Sequence, residues 1–303
     1  NLKYDPKGVD EVRRKFFGTL YNTYSFFSGY ANVDAFDNET AQVPVAERPE
    51  IDRWVLSVLN TLVKGVQKEM ESYDPTRAGR LIEDFVNNDL SNWYVRLNRK
   101  RFWGKEMSQD KLAAYQTLYT CLTTVAKLLA PFAPFFADQL FCDLGAAQLE
   151  NTTSVHLAKF PVADESLIDR ELEERMGMAQ KITSMVHALR KKVNIAVRQP
   201  LQAIMIPAVD DEQRRHIEAV KDLILSEVNV KELRFVEGSG VLVKKVKCNF
   251  RTMGKKFGKL MKGIAAAMSA LDQDQIAELE TNGKIAVEVE GNAVEVEAAD
   301  LEI

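Results

Sequence analysis

An all-α helix bundle over residues 1–160, followed by a smaller α+β domain over residues 161–303, is the architecture this sequence predicts. Three observations carry the prediction. Apolar residues recur at helical spacing through four long segments that are mostly joined by short connections. Near 155–161 the pattern becomes short and β-leaning, ending in Pro161. The C-terminal stretch "GKIAVEVEGNAVEVEAAD" alternates with period two on both sides of Gly291-Asn292, which reads as a hairpin.

Each element has its own signal. Val12, Phe16, Leu20, Tyr24 and Phe27 predict a helix over 9–31, and Asp37, Asn38, Pro44 and Pro49 predict a loop over 34–49. Ile51, Val55, Val58, Leu62, Val66 and Met70 form one stripe of a helix over 50–72. Asp74-Pro75 pairs an N-cap residue with Pro in the first turn and starts a third helix, reaching 103. Ser108 caps a fourth, to 129, and the Pro-interrupted "APFAPFFADQLFCDL" (130–144) closes the bundle with a short helix. Beyond it, the sequence predicts helices over 165–192, 210–227 and 253–281. Strands are predicted at 201–208, 230–237 and 241–250.

Composition narrows the function classes. The chain has 303 residues, 46% of them hydrophobic, which is ample for a core. A net charge of −4 excludes a chain that is basic overall, so any attraction to phosphate must come from local patches. No apolar run reaches the roughly 18 residues of a membrane span, and no membrane partner is expected. No signal peptide is visible, and Asn1 in place of Met suggests a piece of a longer chain. Cys121, Cys142 and Cys248 lie too far apart for a disulfide framework or a CxxC zinc pattern, so a reducing, cytoplasmic setting is expected.

Motifs for chemistry are not found. The sequence has no GxGxxG, GxxxxGK[ST] or GxSxG, and Gly238-Ser239-Gly240 reads as a turn. His156, His187 and His216 are scattered, and His187 reads as a structural helix residue. Glu173-Glu174 reads as a solvated helix face. No catalytic residue and no metal ligand are expected in this chain.

Two stretches remain as candidate surfaces. In "NNDLSNWYVRLNRKRFW" (87–103), advancing about 100° per residue puts Leu90, Trp93, Tyr94 and Leu97 on an apolar seam. It puts Arg96, Arg99, Lys100 and Trp103 on a basic face, and Arg101 on the seam side, where it can snorkel or meet an acid. One reading is a core helix with a solvated back, its cations suited to the helix C-terminus. The other is a platform on which cations hold a nucleic-acid backbone while an aromatic stacks on an unpaired base. The second stretch, 241–263, holds eight Lys or Arg and no acid, among them Lys244, Lys245, Lys247, Arg251, Lys255 and Lys256. It is followed by ten acids and one Lys over 264–303. Phosphate binding and pairing with the acidic hairpin are both open. A smaller basic group comprises Arg190, Lys191, Lys192 and Arg198.

The residues also carry a resemblance. "DLSNWYVRLNRKRFW" resembles the anticodon-binding helix bundle of isoleucyl-tRNA synthetases, a class I family. So, in order, do "FFGTLYNTYSFFSGYANVD", "IDRWVLSVLNTLV", "YDPTRAGRLIEDFV" and "LAPFAPFFADQLF". "LRKKVNIAVRQPL" and "KCNFRTMGKKFGKLMKGI" resemble the junction and C-terminal region of that family's eukaryotic-like branch. The Ala-Pro-Phe-x-Pro segment alone is shared with valyl and leucyl relatives.

The resemblance implies the anticodon-binding domain of class I synthetases followed by the α+β C-terminal domain. Its partners would be tRNA(Ile) and the remainder of the same synthetase chain. The family's His-x-Gly-His and Lys-Met-Ser-Lys-Ser signatures have no match here, and "KEMSQDK" (105–111) only echoes the second. ATP and Mg would therefore belong to a catalytic domain N-terminal to the bundle, as would the editing of mischarged valine, and no cofactor is expected in this part. The Cys-rich zinc element of many bacterial members is also missing. The alternatives are the equivalent region of a valyl enzyme, and a structural or protein-docking role for the α+β part.

Overall fold

The computed structural model describes residues 5–207, 210–236, 246–249, 253, 260–289 and 292–302. They form two compact units. The first contains residues 1–197 and 216–228, and the second contains 198–215 and 229–303. The first unit therefore extends past the 160/161 boundary read from the sequence.

The first unit is helical. Helices α1 (Pro6–Val12) and α2 (Gly18–Val33) run on through a π-helical turn at Arg13–Phe17. Phe16, Leu20 and Phe27 are buried, whereas Val12, counted in the sequence stripe, is exposed on the far side of that turn. Helix α3 (Glu50–Glu71) carries the most regular apolar stripe and buries Trp54, Val55, Leu59, Leu62 and Val66. The Asp74 carboxylate accepts from Arg77 N at 3.0 Å and starts α4 (Pro75–Asp84). The Ser108 hydroxyl accepts from Lys111 N at 3.2 Å and starts α6 (Gln109–Leu129). Short helices α7 (Pro134–Asp143) and α8 (Ala146–Leu149) follow. The β-leaning "SVHLAKFP" forms no strand; Val155–Leu157 is a single 3₁₀ turn set by the Ser154 hydroxyl, which accepts from His156 N.

Between α4 and α5 (Arg96–Phe102) the chain winds as a π-helix over Phe85–Val95. Helical phase at 100° per residue does not describe this stretch. With each N–H reaching five residues back, a turn holds more residues, so neighbours in sequence diverge less in direction. Trp93, Tyr94 and Val95 are three consecutive residues and all are buried, together with Phe85, Val86 and Leu90.

A buried polar network ties this helix to its neighbours. Asp52 of α3 is fully buried. The Arg101 guanidinium donates to both its oxygens, at 2.6 and 2.9 Å, and the Tyr94 hydroxyl donates to it at 2.8 Å. Arg101 also reaches Asn98 Oδ1 at 3.0 Å and pairs with Asp110 at the start of α6 at 2.8 Å. Burial alone would lower the Arg101 pKa, but the Asp52 carboxylate outweighs it and holds the guanidinium charged. Burial drives the Tyr94 phenol well above its usual value, with the Asp52 charge adding to the shift. A second network surrounds Arg48, which donates to Val43 O at 2.9 Å and to Thr117 Oγ1 at 2.9 Å.

Helix α9 (Arg170–Lys192) joins the first unit because α3 supplies partners for its start. The Ser57 and Thr61 hydroxyls donate to Glu173 Oε1 at 2.6 and 2.7 Å. Asp169 N donates to Ser57 Oγ at 2.8 Å. Glu173 thus anchors a helix, contrary to its reading as solvated, whereas Glu174 is exposed. Arg190 is likewise not a surface cation. It is buried, and it donates to Val228 O at 2.8 Å at the end of α11 (Lys221–Val228) and to Ala196 O at 3.1 Å. The predicted helix over 210–227 is two, α10 (Asp211–Ala219) and α11.

In the second unit, β1 (Leu201–Pro207) pairs in parallel with β2 (Val230–Val236), with Leu201 opposite Val230 and Pro207 opposite Val236. Strand β3 (Lys247–Cys248) pairs antiparallel with β6 (Leu301–Glu302), and β4 (Lys284–Val289) with β5 (Asn292–Glu297). Val289 faces Asn292, so Asn292 belongs to the strand rather than to the turn. The predicted helix over 253–281 is broken. Its described parts are α12 (Met261–Ser269) and α13 (Gln273–Asn282), the second begun by a reciprocal Asp272–Gln275 capping box. Met261, Ile264, Met268, Ile276, Leu279, Val289, Val294 and Val296 make the core. Gly263 lies so close to it that an added Cβ would clash with Val289 Cγ1. The turn read at Gly238-Ser239-Gly240 lies outside the described residues, as does most of the strand read at 241–250.

Two stability outcomes follow from the first unit. Arg101→Ala removes the cation that pairs with the buried Asp52 carboxylate, and should destabilise the unit by about 3–5 kcal/mol in urea unfolding. Asp89, which accepts from Gln180 Nε2 at 2.9 Å, gives a pH signature. Burial, reinforced by Asp84 and Glu173, raises its pKa from 3.8 to about 6 against the effect of that hydrogen bond. Between those values the folded state binds the extra proton, so this contribution is fully present at low pH and is lost as pH rises through about 6. Asp89→Asn should stabilise at neutral pH by on the order of 2 kcal/mol, measured by thermal melting, and the gain should vanish near pH 4.

Candidate nucleic-acid interface

The clamp on Arg101 fixes how α5 faces. With Arg101 and Phe102 turned into the core, Arg99, Lys100 and Trp103 turn out. Trp103 is 58% exposed. Among the described residues, neither Arg99 nor Lys100 has an ion-pair partner. For Arg96, Arg99, Lys100, Arg101 and Trp103 the inner and outer faces are those read from helical phase, because this turn is α-helical; Leu97, read as part of the apolar seam, is instead half-buried at the groove, and Asn98 is buried.

These outer side chains line an open groove of about 550 Å³ in the first unit. Arg96, Arg99, Lys100 and Trp103, four residues singled out from the sequence, all border it. The lining also includes Glu50 at the start of α3, Met176 of α9, and Leu223, Ser226 and Glu227 of α11. The last group has no signal in the sequence. Glu227 lies far along the chain from Arg96, and nothing in the local pattern of α11 marks it.

The charges in the groove are not equivalent. Arg96 forms an ion pair with Glu227, whose side chain is only 13% exposed against 43% for Arg96. Its Nε also donates to Asn92 O at 2.9 Å, and its guanidinium lies 5.8 Å from the centre of the Trp93 ring. Arg96 is therefore held on three sides. Glu50 pairs with Arg175 at 3.3 Å. His187 of α9 shares this electrostatic neighbourhood. Burial and the charge of Arg96 lower its pKa, against the pull of Glu227. What the groove offers is an exposed indole and two cations without an ion-pair partner among the described residues, together with a nearly buried carboxylate that pairs with Arg96. An RNA loop, which presents phosphates and unstacked bases together, suits that arrangement.

The second predicted surface is only partly visible. Lys244, Lys245, Arg251, Lys255 and Lys256 lie outside the described residues, as does the side chain of Lys247. The backbone register puts Lys247 directly opposite Glu302, so the basic run meets the acidic C-terminal segment at that point. Among the described residues, no group of three His, Cys, Asp or Glu could hold a metal ion, and no helix is long and apolar enough to cross a membrane.

Comparison with known proteins agrees with the helical architecture around the groove. Residues 52–205 match the family described as the anticodon-binding domain of tRNA ligase. The whole chain is 66% identical to part of the isoleucine–tRNA ligase of Bacteroides thetaiotaomicron, and 59% identical to part of the one from Porphyromonas gingivalis. Over 99% of its length it is 37% identical to the isoleucine–tRNA ligase of Clostridium tetani. It spans only 26–28% of the length of these relatives. The matched residues run from buried Asp52, through the π-helix and the groove-lining turn of α5, into β1. The match covers half of the sequence, including the α5 and α9 residues that line the groove, and the chain belongs to the family of anticodon-binding domains of tRNA ligases.

Proposed function

We propose that this chain is the C-terminal, tRNA-binding portion of an isoleucine–tRNA ligase. It holds the anticodon stem-loop of tRNA(Ile) so that the acceptor end reaches an active site carried by the remainder of the same synthetase chain. Activation of isoleucine with ATP and Mg, transfer to the tRNA, and hydrolysis of mischarged valine belong to that remainder. One methylene yields only about 1–3 kcal/mol of discrimination, which is why such an enzyme needs editing. The observation that carries the reading is the convergence of Arg99, Lys100 and Trp103, beside Arg96, on one groove. Lys244, Lys245, Lys247, Arg251, Lys255 and Lys256 are proposed as a second point of attachment for the tRNA backbone.

A structural role for that basic run is favoured by one observation, the placement of Lys247 opposite Glu302. Charge reversal of Lys255 and Lys256 separates the two roles. Loss of tRNA affinity with an unchanged melting temperature supports binding, and loss of stability with unchanged affinity supports the structural role.

The groove itself is tested by titrating tRNA(Ile) at several salt concentrations. Affinity should fall steeply with salt, and replacing both Arg99 and Lys100 by Ala should flatten the slope by about 0.7–0.9 for each phosphate that the variant no longer neutralises. Trp103→Ala should cost about 1–3 kcal/mol with the slope unchanged, as removal of one stacked base does. Altering the anticodon should weaken binding more than altering the acceptor stem. Salt-independent binding, or equal affinity for valine and isoleucine tRNAs, would count against this assignment.

A further inference from the structure

We infer that Glu227 is a specificity-determining residue of the groove, which neutralises Arg96 and so withholds one cation from sequence-independent contact with phosphate. The inference rests on the tRNA-binding reading above and assigns a role within that site. Arg96 and Glu227 come together from elements distant in sequence, the start of α5 and the end of α11. The pair is reinforced by the Asn92 carbonyl and the Trp93 ring, both of which hold the Arg96 side chain back along its own helix.

A phosphate approaching Arg96 therefore also meets the field of the carboxylate paired with it. Repulsion from Glu227 offsets part of the attraction to Arg96, because both act over similar separations. Arg99 and Lys100 have no such counterweight among the described residues, so the pull on an RNA backbone falls to them. Bases are affected differently. A carboxylate accepts hydrogen bonds only, and base edges carry N–H donors that phosphate diesters lack. An acid paired with Arg96 in the groove that Trp103 also lines thus penalises a bare backbone more than it penalises an unstacked base. Selectivity of this kind comes from a repulsive element as much as from an attractive one.

The test compares the 303-residue chain with Glu227→Gln and with the charge-balanced double variant Arg96→Gln/Glu227→Gln. The probes are oligo(U) and an isoleucine tRNA transcript, each titrated over a fourfold range of salt. In Glu227→Gln the released guanidinium should gain a phosphate, steepening the oligo(U) slope by about 0.7. Over that salt range the variant should lose about 2.6-fold more affinity than the wild type. Its preference for the tRNA transcript over oligo(U) should fall. The double variant should keep the wild-type slope. An unchanged or shallower slope in Glu227→Gln overturns the inference. So does a slope lowered by about 0.7 in the double variant, which would mean that Arg96 contacts phosphate despite its partner. Should Glu227→Gln fail to fold in a melting assay, the double variant decides by itself. A wild-type chain that binds neither RNA in a salt-dependent way instead refutes the tRNA-binding reading, and the two failures are thereby distinct.

Discussion

The buried carboxylate of Asp52 is the constraint on which the first unit is organised. A charge with no exposure is tolerable only when it is paired and hydrogen-bonded on both oxygens, and Arg101 and Tyr94 do this from one helix. Arg101 extends the network to Asp110, so three helices meet at a single charge. The partners must arrive in register, since a slip of one residue would leave Asp52 unpaired. Greasy contacts such as Phe102 against Tyr115, with ring centres 4.9 Å apart, tolerate more latitude. The polar network therefore selects one arrangement from the several that the apolar stripes would permit.

The groove is a consequence of that register. Arg101 is drawn inward, and on an α-helical turn its neighbours Arg99, Lys100 and Trp103 must then point outward. The π-helix just before this turn contributes by burying three residues in a row, so Tyr94 can reach Asp52 while Trp93 stays packed below Arg96. Helix α11 supplies the remaining wall and the acid that engages Arg96. That helix follows α10 in sequence and belongs to the first unit although it lies beyond β1 along the chain.

Much of this is legible in the sequence. Helix starts at Asp74-Pro75 and Ser108 can be read because capping is local: one side chain and an amide two or three residues on decide it. The stripe of α3 can be read because the helix is regular, and Arg101 can be placed on the seam side, where snorkelling and pairing with an acid are both open. The π-helical stretches cannot, since a residue's neighbours there are set by what packs around it and not by a fixed angular step. Glu173 and Arg190 differ from their sequence reading for a related reason. Both are charged residues on a charged helix, and only Ser57 and Thr61 on one side and the carbonyl of Val228 on the other show that they are structural.

By itself, the sequence determined the class of the fold, the order of its elements, the family it resembles, and the small set of cations and aromatics from which a binding surface could be made. These depend on periodicity, on caps and on residue chemistry, all of which act within a few positions along the chain. The tertiary structure alone decided which charges are available and which are already paired. Arg96, Arg99 and Lys100 look alike in sequence, but Glu227, 131 positions beyond Arg96, makes the first unlike the other two. Electrostatic pairing depends on distance in space, and only the folded chain sets that distance.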